Sequence, residues 1–267
     1  MSPVPKAGVT SGERRAAITA GTRARILAAA KALMLDADGD LSVDDIARRA
    51  GVAVQSIYDH FGSKGGLLIA VVQDVQRSGG LFEGIQTTFR SPDGETALRT
   101  MIAATVGMWD HAWPFLAFLL RARRSDPVVG REYAGLDVLR HAHLWAICRR
   151  LEEEGRVRGG SSAEWAADQA FVLSAETVYE DYVVRRGWSV QAATDSITRA
   201  ITAVVLEPGT VATTSPAPDW PVLESEAAAR AVALGADASR FPVAWQRQTS
   251  KPAVADNVQI GARPLDA

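Results

Sequence analysis

The chain has 267 residues, 47% of them hydrophobic, with 29 Lys and Arg against 31 Asp and Glu for a formal charge of −2. That is enough apolar material for one large domain or two unequal ones, and too little net charge of either sign to mark a nucleic-acid binder by composition. The single cysteine, Cys148, excludes an intramolecular disulfide and argues against a thiolate metal site within one chain.

Residues 1–20 (MSPVPKAGVTSGERRAAITA) are small, polar and sprinkled with arginine, and are expected to form a flexible arm without the apolar centre of a secretion signal. From Thr22, Ile26, Leu27, Ala30, Leu33 and Met34 recur at helical spacing and predict a first helix. DADGD breaks it. Ser42, with Asp45 three residues on, reads as an acidic capping box that opens a second short helix with Ile46 and Ala47 inside. Gly51 supplies the left-handed stop, and a third helix begins near Val54 with Ile57 and Phe61 one turn apart, both facing inward.

Beyond Ser63, LLIAVVQDV predicts a fourth helix that lasts to Ser78, Gly79 and Gly80. Further helices are expected over 82–90, 95–110, 114–124, 127–155, 163–186 and 190–206, punctuated by Pro92, Pro114, Asp126 with Pro127, Gly159 with Gly160, and Gly187. No run alternates as a strand does, so the class is all-α. No stretch approaches eighteen apolar residues, so no membrane partner is expected and a cytoplasmic location follows. Seven of the twelve prolines fall after residue 206, giving a largely irregular tail with one helix across LESEAAARAVALGA. Trp220, Leu223, Phe241 and Trp245 make that tail too aromatic for a linker, so part of it should dock on the body.

Two short helices across a glycine turn, the second polar on its outer side, are the elements of a helix-turn-helix. With Ile57 and Phe61 turned inward, Val54, Gln55 and Ser56 can reach base edges, Gln55 by paired bonds to adenine. Ser42, Tyr58 and Lys64 suit phosphates, and His60 is open between a phosphate contact and ordinary packing. RILAAAKALM followed by LSVDDIARRAGVAVQSIYDHFGSK closely resembles the DNA-binding domain of the TetR family of bacterial transcriptional regulators. The resemblance covers residues 22–75 and implies a helix-turn-helix domain (21–66) and a helical ligand-binding and dimerisation domain (67–206), which the arm (1–20) and the Pro-rich tail (207–267) flank. It also implies a homodimer on double-stranded operator DNA, switched by a small-molecule effector.

Three departures stand out. Ala53 sits where the family usually caps the third helix with Ser or Thr, and Val54 where a cation is common. Gly65 and Gly66 replace the usual glutamate and its neighbour at the start of the fourth helix. The glycine pair reads either as a hinge between head and body or as room for close packing.

In the body, Met108, Trp109, His111, Phe118, His141 and Trp145 concentrate apolar and aromatic surface with a few polar groups, as a small-molecule pocket requires, though aromatics at helical spacing are more often plain core. Glu176 and Tyr179, on the expected dimer helix, are candidates for ligand or interface contacts. The arginines at 121, 123 and 124 and the run Glu152–Glu154 read as solvated faces. His141 and His143, two apart, fall on different helix faces, so no metal site is expected; nor is a cofactor or a catalytic residue. The chain therefore reads as a DNA-binding regulator, most simply a repressor released from a near-palindromic operator by a small apolar or aromatic effector. The alternatives are a dimeric DNA binder without effector and a helical-bundle metal protein or enzyme built on its histidines.

Overall fold

The computed structural model describes residues 11–36, 41–209 and 219–236. Among the described residues the structure is helical throughout, its one extended pairing an isolated antiparallel bridge between Val157 and Leu206. The helices are α1 (Ser11–Asp36), α2 (Val43–Ala50), α3 (Val54–Phe61), α4 (Lys64–Ser78), α5 (Leu81–Thr88), α6 (Gly94–Ala122), α7 (Pro127–Glu153), α8 (Ala163–Leu173), α9 (Glu176–Tyr179), α10 (Val190–Val205) and α11 (Trp220–Ala233). Helix α1 starts eleven residues before Thr22, so residues 11–20 are helix and not irregular arm. Arg and Ala in RRAAITA are strong helix formers and extend an already packed helix outward.

α1 to α3 close over one small core of Ile26, Leu27, Ala30, Met34, Ile46, Ala47 and Ile57, all buried. Leu33 and Phe61 are only half-buried, and the Arg23 guanidinium lies over the Phe61 ring at 5.0 Å. α4 leads away from this head and is buried on every side from Leu67 to Val72, packed by α1, α6 and α7. α5 lies on α6, α10 against α6 and α8, and α7 is sandwiched between α8 and α11.

Several helix starts are fixed by side chains. Asp93 accepts from the Thr96 amide at 2.7 Å, Asp126 from Val128 at 2.8 Å ahead of Pro127, and Ser189 from Ala192 at 3.1 Å. Pro114 does not end α6, contrary to the expected break between 95–110 and 114–124. Trp109, Ala112, Leu116 and Leu119 are buried on both sides of it, and that packing outweighs the lost amide.

The expected helix 163–186 is broken at Ser174 and Ala175. Ser174 Oγ donates back to Ala170 O at 2.6 Å, while its own carbonyl accepts from Trp109 Nε1 at 3.1 Å. After the one-turn α9, residues 180–185 continue as a π-helical turn. Glu154, expected in water, is almost fully buried, because Arg150 Nε at 2.7 Å and the Gly94 amide at the start of α6 both donate to it.

The tail helix α11 starts three residues before the 223–236 segment in which a helix was expected, ends at Ala233 and docks on α7, burying Trp220, Leu223, Ala227, Ala228 and Ala231. Phe241 and Trp245 lie outside the described residues.

Candidate functional site

α2 opens at Ser42, whose hydroxyl accepts from the Asp44 amide at 3.2 Å. Asp45 does not reach back to complete a capping box. Its carboxylate instead takes Arg48. α2 ends on Gly51 at φ 65°, with Val52 N donating to Ala47 O and Gly51 N to Arg48 O, a double closure that sets the angle between α2 and α3.

α3 follows with no side-chain cap at Ala53, and the Ser56 amide turns back to the Ala53 carbonyl at 3.0 Å. Ile57 is its anchor, completely buried. Gln55, Tyr58 and Asp59 are exposed, while Val54, Ser56 and His60 are half-buried on the flanks. Gln55 Nε2 donates to Asp59 Oδ1 at 2.9 Å, one turn along the same outer face. Lys64 follows at the first position of α4, where Ser63 accepts from the Gly66 amide at 2.9 Å.

The glycine pair joins two bodies at close range. A β-carbon on Gly66 would overlap the Phe61 carbonyl oxygen. One on Gly65 would lie 2.9 Å from Val129 Cγ2 and 3.0 Å from Asp126 Oδ2 at the start of α7. Of the two readings of this pair, close packing accounts for it.

Residues 26–71 match the family model of bacterial regulatory proteins, tetR family. The chain carries the helix-turn-helix domain of the TetR family. No curated protein matches the sequence. Solved structures of TetR-like fold do match. SmeT, the repressor of the Stenotrophomonas maltophilia multidrug efflux pump SmeDEF, superposes with a TM-score of 0.54 at 20% identity, over 74% of this chain and 98% of its own. NalD, the secondary repressor of MexAB-OprM in Pseudomonas aeruginosa, gives 0.55 at 19%, over 72% and 100%. Bacillus subtilis FadR in complex with stearoyl-CoA gives 0.55 at 17%, over 68% and 98%. At these identities the likeness shows the fold of the body alone.

The body residues singled out from sequence do not form one cluster. Met108 is buried and takes a bond from Gln76 Nε2 at 3.7 Å, His111 is exposed beside Gly79, and Phe118 lies under Arg121. Trp109, Glu176 and Tyr179 are buried near the break between α8 and α9. Tyr179 Oη donates to Asp110 at 2.8 Å, with its ring 5.2 Å from Trp113. His141 and Trp145 sit instead where α7 meets α8 and α11, with His141 Nε2 2.8 Å from Asp168 Oδ1 and Trp145 under Arg230.

Sequence reasoning missed a second set of groups. Arg123, set down as solvated, bonds buried Glu176 at 3.2 Å and lies over the Tyr133 ring at 4.6 Å. Arg140 lies over Phe171 at 3.7 Å, donates to the Phe171 carbonyl and pairs with Asp137 at 3.7 Å. Burial, with Glu176 nearby, pushes the Asp137 carboxyl up and the Tyr133 phenol far above its usual range. Burial likewise lowers Arg140, against the pull of Asp137 and Glu176. Tyr133 Oη and Arg140 Nε meet no hydrogen-bond partner among the described residues. The one available signal was the spacing of Tyr133, Asp137 and Arg140 on one face of α7.

Proposed function

We propose that the protein is a ligand-responsive transcriptional repressor. A homodimer sets two copies of α3 in successive major grooves of a near-palindromic operator, about 34 to 36 Å apart. The observation that carries this reading is α3 itself. Ile57 holds it to the head while Gln55, Tyr58 and Asp59 face outward, with Ser42 and Lys64 beside it at the starts of α2 and α4. Gln55 reads a base, with Val54 and Ser56 at neighbouring edges. Tyr58, Lys64, Ser42 and His60 hold phosphates and fix register.

The dimer face is supported by apolar side chains left open on the second half of the body: Val172 at 64% exposure, Val184 at 49% and Trp188 at 42%, the last stacked on Tyr182 at 4.5 Å. Pairing across a two-fold axis buries them.

The effector site is the buried polar set around Trp109, Tyr133, Arg140, Phe171, Glu176 and Tyr179. Its aromatic walls and two unpartnered polar atoms suit an aromatic ligand that carries a hydrogen-bonding group. SmeT bound to triclosan and FadR bound to stearoyl-CoA, both of this fold, support effector binding in the body. A route to the head is short. Arg123 holds Glu176, and three residues on, Asp126 with Val129 abuts Gly65 of α4. A ligand that favours the state with Arg123 withdrawn from Glu176 moves that turn and lowers operator affinity by its differential affinity for the two states.

Selection of bound fragments from random double-stranded DNA tests the reading. Enrichment of a near-palindrome that needs Tyr58 and Lys64 is the expected result. Failure to enrich any sequence overturns it.

A further inference from the structure

Glu164 and Asp168 lie one turn apart on the same face of α8, and His141 faces them from α7. His141 Nε2 is 2.8 Å from Asp168 Oδ1, and one donor atom from each of the three lies within 4.8 Å of the others. The His141 ring is held edge-on to Phe171 at 5.5 Å. Above them, Arg230 of α11 bonds Glu164 and lies 5.4 Å from the centre of the Trp145 ring, and its Nε is buried with no partner among the described residues. His143, two residues from His141, is buried against Phe89 and takes no part.

We propose that His141, Glu164 and Asp168 bind one divalent transition metal ion of the zinc type, and that the Arg230 guanidinium stands in for the ion until it arrives. One imidazole nitrogen and two carboxylates from three positions, with solvent open to the remaining positions, is a donor set that suits a borderline divalent cation. Bonds of about 2.0 to 2.2 Å in a tetrahedron place donor atoms about 3.3 to 3.6 Å apart. Rotation of the accessible Glu164 and Asp168 side chains covers the difference from the present spacing. On binding, the ion takes the place of the hydrogen bond between His141 Nε2 and Asp168 Oδ1. Arg230, now facing a like charge, leaves Glu164, which couples metal binding to the seating of the terminal helix. The inference stands independently of the regulator reading.

Calorimetric titration of the metal-free full-length chain with zinc chloride is the test, with circular dichroism to check that each variant is folded. One ion per chain is expected, with affinity reduced at least ten-fold in His141→Ala and in Asp168→Asn, and raised several-fold in Arg230→Ala. Asp168 is exposed, so its variant reads the claim even where loss of His141 disturbs packing. The proposal is overturned by the absence of stoichiometric binding, by binding that survives both ligand substitutions, or by an Arg230→Ala chain that binds no more tightly than the parent.

Discussion

The backbone of Gly66, in the first turn of α4, passes so close to the carbonyl of Phe61 at the end of α3 that no β-carbon fits between them. The contact is backbone to backbone, so no rotamer change relieves it. Gly66→Ala is therefore expected to cost about 1 to 3 kcal/mol as overpacking, despite the better helix propensity of alanine. Gly65→Ala meets only the side chains of Val129 and Asp126, which can move, and is expected to stay within about 1 kcal/mol of the parent. Urea unfolding of the two variants measures both, and the reverse ranking would show that the joint is loose.

Recognition by α3 predicts two kinds of loss. Gln55 must give up its bond to Asp59 to reach a base, so Gln55→Ala should relax preference at one operator position by about 1 to 3 kcal/mol and leave the others unchanged. Lys64→Gln should instead weaken binding to all sequences alike and flatten the slope of log affinity against log salt by about 0.9. Binding isotherms at several salt concentrations on matched and mismatched operators separate the two. A salt slope untouched by Lys64→Gln would remove that residue from the interface.

Much of this was legible from local pattern. The head could be read residue by residue because its core positions follow a strict helical period and its turn requires Gly51 to adopt a left-handed conformation. The TetR resemblance then implied roles for the residues on its outer side. The body was legible only as a string of helices, because what distinguishes its sites is contact between distant segments. Nothing local to Arg123 tells that Glu176, fifty-three residues away, is buried opposite it, or that Glu154 caps α6. Pro114 misled for a related reason. A proline inside a helix is tolerated when packing on both sides outweighs one lost amide, and that packing is tertiary.

His143 makes stability depend on pH. Burial pushes its pKa down to about 4, and its backbone hydrogen bond to Leu139 only partly offsets this. In the unfolded chain a histidine titrates near 6.5, so the unfolded state takes up a proton that the folded state refuses between these values. The contribution is intact above about pH 6.5 and is lost progressively as pH falls toward 4, reaching about 3 kcal/mol. His143→Leu should flatten this part of the stability profile. Thermal unfolding of parent and variant between pH 4 and 7 measures the difference, and parallel profiles would mean that His143 is protonated in place.

Helix α11 predicts that residues 220–233 of the tail are part of the folded body. Trp220 is buried at the start of α11, donates from Nε1 to the Ser91 carbonyl at 2.9 Å and sets its ring edge-on to Phe89 at 5.5 Å. Phe89 in turn packs on His143, so Trp220 roofs the pocket that keeps that imidazole neutral. Trp220→Ala removes a large buried side chain and leaves a cavity, at an expected cost of about 3 to 5 kcal/mol. A chain ending at residue 209 loses the whole roof. It should unfold at lower temperature, and water reaching His143 should shift the acid limb of its stability profile as well. Equal melting temperatures for the full and shortened chains would show that α11 rests on the body without supporting it.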